Sequence, residues 1–346
     1  MIRGLGRTVA CACLATAVAA CGEPGRGATF PQFEGGSRRV EAAPAEELWA
    51  VGGDPADTLL LLPVGIAARG DLVYLLDRFG SRVAALEANT GAHRWTRGRR
   101  GAGPGEMDAP RELGLAVDGG LAVADGRNPR IARVSADGQA AAPVPLRETG
   151  SVHSVCSLPA GDWLVATHDS EARLVRLDSV GAILKRYQLP GPYEPDAPPL
   201  ATQVLLAGGG GVPCVLLFRL GAGFAVFGGD GFDAFRLFVE PMTPPPVEVR
   251  VDGRRTSVRL TEQRTAALDG AVVDGEIWVL FDGASEDAGR LIDRYELETG
   301  EYVGSWRLPF RADRFAADDE RLYALARRTG YPVAVALRRP DRPGLP

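Results

Sequence analysis

The stretch Asp71-Leu-Val-Tyr-Leu-Leu-Asp77, followed by Arg78-Phe-Gly-Ser81 and then Arg82-Val-Ala-Ala-Leu-Glu87, decides the fold. The two outer runs are short and apolar or alternating, which predicts β-strands, and the four residues between them form a turn signal. The unit is therefore a strand, a tight turn and a second strand. Beyond the N-terminal region the chain shows almost no helical periodicity, so the sequence predicts an all-β fold.

This unit recurs, and we count six copies whose starts lie roughly 40 to 65 residues apart, which is the period of a four-stranded repeat. Another apolar stretch precedes each copy, and a fourth strand usually follows it. Such a pattern predicts a six-bladed β-propeller of four-stranded antiparallel blades over residues 46–346. Because the last copy ends soon after its third strand, we expect Arg39 to Val51 to supply the missing strand and close the ring, which hides the sheet edges.

Two of the turns, Asp77-Arg-Phe-Gly-Ser-Arg-Val83 and Asp125-Gly-Arg-Asn-Pro-Arg-Ile131, resemble NHL-type repeats. The segment Arg100-Gly-Ala-Gly-Pro-Gly-Glu-Met107 is similar to the inter-blade loop of the bacterial six-bladed propeller lipoproteins with NHL-like or TolB-like repeats. The resemblance covers blades one and two well and the other four in outline. It implies a propeller in the cell envelope, and related propellers carry lactonase, hydrolase or lyase activity.

Two further segments bear on this prediction. Glu87-Ala-Asn-Thr-Gly-Ala-His-Arg-Trp95 resembles a quinoprotein repeat, a class that usually has eight blades, but the chain has no room for eight at this period. Val247 to Leu260 alternates around an Asp-Gly turn and predicts an extra hairpin at 247–260 between blades four and five.

The N-terminus has the pattern of an export signal. Arg3 and Arg7 precede an apolar run from Thr8 to Ala20, which is too short to span a bilayer and has the length of a signal h-region. Val18-Ala-Ala-Cys21 resembles the bacterial lipobox. We therefore expect a signal peptide at 1–20, lipidation of Cys21, and a flexible tether over 21–45, with an ordinary signal peptide as the alternative. Residue 22 is Gly, so an outer-membrane or periplasmic location is favoured over the inner membrane.

Composition limits the classes of partner. The net charge of −5 argues against a nucleic-acid binder, which needs a basic surface to neutralise phosphates. With 45% hydrophobic and 24% charged residues, the chain has ordinary globular composition.

Few residues suggest cofactor chemistry. His93, His153 and His168 lack the spacing of metal ligands on one element, so we predict no zinc site and no bound cofactor; an axial calcium ion stays open because it needs only oxygen ligands. The Gly101 to Gly105 loop lacks the Gly-Lys-Ser/Thr of a phosphate loop. Cys156 and Cys214 fall in adjacent predicted blades, and export would permit a disulfide, but buried free thiols are the favoured interpretation.

The ends of the innermost strands offer the best candidate for a binding site. Those strands line the central channel of a propeller, and aligning the copies puts polar residues at the start of four of them: Arg111, His153, Gln203 and Arg314. The simpler interpretation is that these are solvated strand ends. No Gly-x-Ser-x-Gly elbow or other catalytic constellation occurs.

Two hypotheses for function follow. The first is a membrane-anchored binding or scaffolding module for an envelope protein or a small ligand, without catalysis. The second is a metal-assisted hydrolase, lactonase or lyase that acts in the axial channel. We favour the first, because the chain offers an anchor signal and a closed scaffold but no catalytic motif.

Overall fold

A computed structural model describes residues 35–42, 46–167, 173–191, 203–242, 247–252, 255–260, 265–283 and 285–340. Every regular element in these ranges is a β-strand, so the all-β prediction is confirmed. Cys21, the predicted signal peptide and His168 lie outside the described residues. No described helix has the length and apolarity to cross a membrane.

The strands form antiparallel ladders in chain order. After β1 (Val40–Ala42) and β2 (Glu47–Gly52), the ladders before the extra hairpin are β3 (Pro63–Arg69), β4 (Leu72–Asp77), β5 (Arg82–Glu87), β6 (His93–Arg97); β7 (Glu112–Leu115), β8 (Leu121–Asp125), β9 (Arg130–Val134), β10 (Ala140–Pro145); β11 (Val152–Ser157), β12 (Trp163–Thr167), β13 (Leu174–Leu177), β14 (Ile183–Tyr187); and β15 (Val204–Gly209), β16 (Val212–Phe218), β17 (Gly223–Gly228), with short β18 (Gly231–Phe232) and β19 (Arg236–Leu237).

The predicted hairpin is confirmed as β20 (Val247–Asp252) and β21 (Arg255–Leu260), which pair with each other in a separate two-stranded sheet. The remaining ladders are β22 (Ala267–Val273), β23 (Glu276–Phe281), β24 (Leu291–Glu296), β25 (Tyr302–Arg307); and β26 (Ala312–Ala317), β27 (Arg321–Arg328), β28 (Tyr331–Arg338). The first strands of the ladders contact one another in the cyclic order β3, β7, β11, β15, β22, β26 and back to β3. This radial arrangement of antiparallel sheets around one axis is a β-propeller.

The hydrogen-bonded sheets do not match the predicted set of separate four-stranded blades one for one. Apart from the β20–β21 hairpin, the described strands form three four-stranded sheets, one five-stranded sheet and one nine-stranded sheet. The nine-stranded sheet arises where β7 and β15 meet in a parallel pairing at Leu115 and Gly209. Glycine permits this close approach, because a Cβ on Gly209 would lie 3.2 Å from the Leu115 carbonyl oxygen.

The N-terminal segment completes two sheets. β2 pairs antiparallel with β28, so the prediction that this part of the chain closes the ring is confirmed. β1 adds a parallel fifth strand to β25, which corrects the expectation that the tether extends through residue 45. The buried Asp293 carboxylate explains this docking, because it accepts hydrogen bonds from the Arg38 guanidinium at 2.9 and 2.8 Å.

Apolar side chains fill the spaces between neighbouring ladders. Trp163, Trp278 and Tyr323 are at most 3% exposed, as expected for residues that alternate with apolar neighbours on strands. One cross-link is covalent: Cys156 on β11 and Cys214 on β16 form a disulfide with a Cα–Cα distance of 6.1 Å. The expectation of free thiols is wrong, because these strands approach within the range that a disulfide requires.

Candidate functional site

A recurring irregularity places side chains in the channel. Near the start of β3, β11, β22 and β26 the pairing register shifts by one residue, which is the signature of a β-bulge. The extra residues are Val64, His153, Leu268 and Asp313. In each of these four ladders, the residue after the bulge occupies the same position relative to the end of the second strand. The strand pairing identifies the residues at that position in β7 and β15. The six equivalent positions hold Gly65, Glu112, Ser154, Leu205, Asp269 and Arg314.

This ring of positions encloses an axial cavity of about 120 Å³, and five of its members line the cavity directly. The volume is well above the roughly 10–15 Å³ that one water molecule needs. Glu112, Asp269 and Arg314 are the ionisable side chains in the lining. All three belong to first strands whose other lining residues are mostly small or apolar, so the cavity is a polar centre within an apolar wall.

The polar side chains of the ring form hydrogen bonds with residues of neighbouring first strands. Ser154 donates its hydroxyl hydrogen bond to Glu112 Oε1 at 2.6 Å and accepts one from the Leu206 amide at 2.8 Å. The Phe315 amide donates to Asp269 Oδ2 at 2.9 Å. These bonds fix the side chains at the axis and also join one first strand to the next.

Arg314 is held in the same way, because its Nε donates to the Val64 carbonyl at 3.0 Å and its Nη1 to the Leu268 carbonyl at 3.1 Å. A fourth charged side chain, Arg219, follows β16 and lies in the electrostatic field of Glu112, Asp269 and Arg314. Its guanidinium forms no hydrogen bond or ion pair with any residue that the structure describes, and its Nε is buried. Arg219 is therefore a cation near the ring that has no hydrogen-bond or ion-pair partner among those residues.

Burial shifts the pKa values of Glu112, Asp269 and Arg219. Desolvation raises the pKa of Glu112 to about 8 against the lowering effect of the Ser154 hydrogen bond, and the charge of Asp269 adds to the rise. Desolvation also raises the pKa of Asp269, against the opposing effect of Arg314. The pKa of Arg219 is lowered by burial and by the like charge of Arg314. At neutral pH Glu112 is mostly protonated, so the positive charges of the two arginines are not fully balanced.

Of the four candidate residues from the sequence, only Arg314 lines the cavity. Arg111 lies just before β7, and burial together with the charge of Arg78 lowers its pKa. His153 is the bulged residue of β11, and its Nε2 contacts the Val204 carbonyl at 3.1 Å. The Gln203 carbonyl accepts a hydrogen bond from the Arg219 amide at 2.9 Å. These three residues stand beside the ring rather than in it.

The sequence reasoning missed Glu112, Asp269 and Arg219. A signal for the first two was present, since each is a charged residue at or within an apolar first strand. His93 lies on the fourth strand β6, with Nε2 2.8 Å from Thr96 Oγ1, away from the axis. Within the described ranges no three His, Cys, Asp or Glu side chains form a group suited to a metal ion.

The opposite half of the channel is built differently. Its lining is made of small or aliphatic residues: Ala67, Ala68, Leu115, Ala207, Gly208, Ala271, Val272, Ala316 and Ala317. Arg69 lies at that end, where Nη1 donates to the Ala116 carbonyl at 2.8 Å and Nη2 to the Gly210 carbonyl. Together with the Leu115–Gly209 pairing, these contacts tie neighbouring strands together at the far end.

No protein-family model matches the chain, and no curated protein sequence matches it. Solved structures do resemble it in fold. A protein from Bacteroides fragilis described as exported has a TM-score of 0.55 at 12% identity, with 88% of this chain and 99% of that one covered. A protein of unknown function from Bacteroides thetaiotaomicron has a TM-score of 0.54 at 14% identity, covering 87% and 75%.

Virginiamycin B lyase from Staphylococcus aureus is also similar, with a TM-score of 0.50 at 12% identity over 84% of this chain and 98% of that one. At such low identity these similarities show the fold and nothing of the chemistry. The chain is a β-propeller, and its axial residues must be interpreted from their own geometry.

Proposed function

We propose that this chain is an exported, lipid-anchored β-propeller that binds a small anionic ligand in its axial cavity. The proposal includes a count of six blades, one for each first strand in the ring from β3 to β26, with β2 completing the last. Anchoring through Cys21, preferably at the outer membrane, is supported by the lipobox-like sequence. Export is in keeping with the description of the B. fragilis protein of similar fold as exported.

The observation that carries the binding proposal is the Arg219 guanidinium. It lies near Arg314 at the charged end of the cavity and has no hydrogen-bond or ion-pair partner among the described residues. A guanidinium is a strong and geometrically specific donor to carboxylate and phosphate oxygens. Because Glu112 is mostly protonated at neutral pH, it does not neutralise the two arginines and can itself donate to a ligand oxygen.

The test is calorimetric titration of the full chain with acetate, malonate and inorganic phosphate at pH 7 and low ionic strength. We expect at least one of these anions to bind, and we expect Arg219→Gln to weaken that binding about tenfold or more, in line with the loss of a charge-assisted hydrogen bond. Arg127→Gln is the matched control, because Arg127 is a solvent-exposed arginine paired with Asp108 outside the channel. Equal affinities for the two variants and the original chain would contradict the proposal.

One observation favours a second candidate, an enzyme that transfers protons in the same cavity. A carboxyl group with a pKa of about 8 can act as a general acid or base near neutral pH. The lyases of similar fold make cleavage of virginiamycin B a reasonable first assay. We expect Glu112→Gln to abolish such turnover while Ser154→Ala only reduces it. A calcium and chelator series in the same assay tests whether a metal contributes.

A further inference from the structure

A second surface stands out at the rim of the same face, apart from the axial cavity. Leu61 and Leu62 precede β3 and are 43% and 41% exposed, while Phe79, in the turn between β4 and β5, is 76% exposed. We call these three side chains with Arg78 the apolar tip. Large apolar side chains that are grouped and exposed commonly mark an interaction surface.

The apolar tip is rigidly built. The buried Asp77 carboxylate accepts hydrogen bonds from the amides of Leu61 and Leu62 at 2.6 and 2.8 Å through Oδ2, and from the Gly80 amide at 2.6 Å through Oδ1. The Arg78 amide also donates to the Leu62 carbonyl at 2.9 Å. One carboxylate thus holds both loops together, so the exposure of their side chains is a property of the ordered structure.

The next ladder shows that the fold does not require an apolar residue there. Asp125 ends β8 as Asp77 ends β4, and it likewise accepts a hydrogen bond from the preceding loop, from the Asp108 amide at 2.8 Å. Two residues further on, where the first turn has Phe79, the second has Arg127. The same turn accommodates a charged side chain, so Phe79 contributes contact surface rather than fold stability.

The tip also carries a positive charge. Arg78 is exposed and forms no ion pair with a described residue, and its charge repels that of Arg111 nearby. A turn that exposes large apolar side chains beside an exposed guanidinium matches a bilayer interface, where the apolar groups enter the acyl boundary and the cation meets lipid phosphates.

We propose that the apolar tip docks on a bilayer surface that contains anionic headgroups. The docking face is then the face at the charged end of the axial cavity, so contact with the membrane would direct that end towards the lipid. This proposal does not depend on ligand binding in the cavity or on lipidation of Cys21.

Two variants that each add one tryptophan test it: Phe79→Trp and, at the equivalent turn position, Arg127→Trp. Each full-length variant is mixed with vesicles of brominated phosphatidylcholine, with or without 30% phosphatidylglycerol, and quenching of the added fluorescence is measured against the original chain. The N-terminal twenty residues contain no tryptophan, so insertion of the leader gives no signal. Circular dichroism confirms that both variants are folded.

We expect the tryptophan added at position 79 to be quenched at least twofold more strongly than the tryptophan added at position 127, and only in vesicles with phosphatidylglycerol. Phe79→Arg should lower the partition coefficient of the protein onto these vesicles about tenfold. The measurement is amide hydrogen exchange, in which the vesicles should protect residues 58–63 and 77–82 of the original chain but not of this variant. Equal quenching of the two added tryptophans would overturn the proposal. Quenching that is independent of phosphatidylglycerol would overturn its anionic component. Capture of a soluble protein by the original chain but not by Phe79→Arg, without quenching, would replace the bilayer with a protein partner.

Discussion

The two ends of the axial channel are formed by the same strands but differ in composition. At the charged end, the ring positions hold Glu112, Asp269 and Arg314, and Arg219 stands beside them without a partner among the described residues. At the far end, small residues line the wall, and the Arg69 guanidinium donates to two carbonyls. At the far end, Arg69 therefore stabilises the fold through hydrogen bonds to the backbone, whereas at the charged end Arg219 has no such partner among the described residues. The proposed binding group and the stabilising contacts therefore lie at opposite ends of one axis.

The largest effect is expected from the disulfide, which adjoins the far end because Cys156 Sγ would lie 3.2 Å from a Cβ on Gly209. Cys156 and Cys214 are 58 residues apart in sequence. Closing a loop of that length stabilises the folded chain by about 4 kcal/mol in the chain-entropy description. The double variant Cys156→Ala/Cys214→Ala should lose about this much free energy of unfolding in urea titrations. A midpoint that does not respond to reductant in the original chain would contradict the assignment.

The next effect concerns Gly210, which follows the Leu115–Gly209 pairing at the far end. Gly210 has φ of +67°, and a Cβ there would lie 2.7 Å from Leu115 Cβ. Gly210→Ala should therefore cost about 2–3 kcal/mol, from left-handed backbone strain together with the clash. Gly70→Ala is the control, because Gly70 has φ of +56° and an added Cβ meets nothing within 4 Å, so only the backbone cost of about 1 kcal/mol applies. If the two variants are equally stable, the far end is not tightly packed.

Replacing one arginine at each end compares the two roles directly. Arg69→Gln removes charged hydrogen bonds to two backbone carbonyls and should lower the free energy of unfolding by about 2 kcal/mol. Arg219→Gln breaks no hydrogen bond to a described residue and removes a buried charge that Arg314 repels, so it should not lower the free energy of unfolding. Thermal and urea unfolding of both variants gives the comparison. A larger loss for Arg219→Gln would show that this guanidinium has a structural role.

The sequence predicted the all-β propeller class, but it did not predict how the strands join into sheets or which side chains line the channel. The strand pattern predicted the ladders, the closing strand and the 247–260 hairpin, because each depends on local alternation and turn residues. Of the four candidate residues, Arg314 lies at a ring position, whereas Arg111 and His153 lie one residue before the ring positions of their strands and Gln203 lies two residues before. Side chains alternate across a strand, so a slip of one residue moves a side chain out of the channel.

The bulge that displaces His153 could not be located from the residues alone. At β11, the bulge at His153 places Ser154 rather than the histidine at the ring position. The disulfide was missed for a related reason, since the approach of Cys156 to Cys214 depends on how two ladders pack and not on spacing along the chain. Pairing registers are set by tertiary contacts, and the site follows from them.

The charged end should also make the free energy of unfolding of the whole chain depend on pH. The folded pKa of Glu112 is raised to about 8, above its ordinary value, so the folded chain holds a proton that the unfolded chain releases. Stability from this group is therefore fully present below about pH 4.5 and falls as pH rises towards 8, with a slope of at most about 1.4 kcal/mol per pH unit. Glu112→Gln keeps the shape but cannot titrate, so its unfolding free energy should lack this component.

Urea titrations of both proteins between pH 5 and 8 measure the difference, and Glu106→Gln serves as the control, because the pKa of that carboxyl is lowered by the Gly103 amide and Arg99 and it therefore does not titrate in this range. If the curves for Glu112→Gln and the original chain run parallel, Glu112 is ionised throughout. The site would then carry a balanced rather than a positive charge, and the preference for an anionic ligand would lose its electrostatic basis.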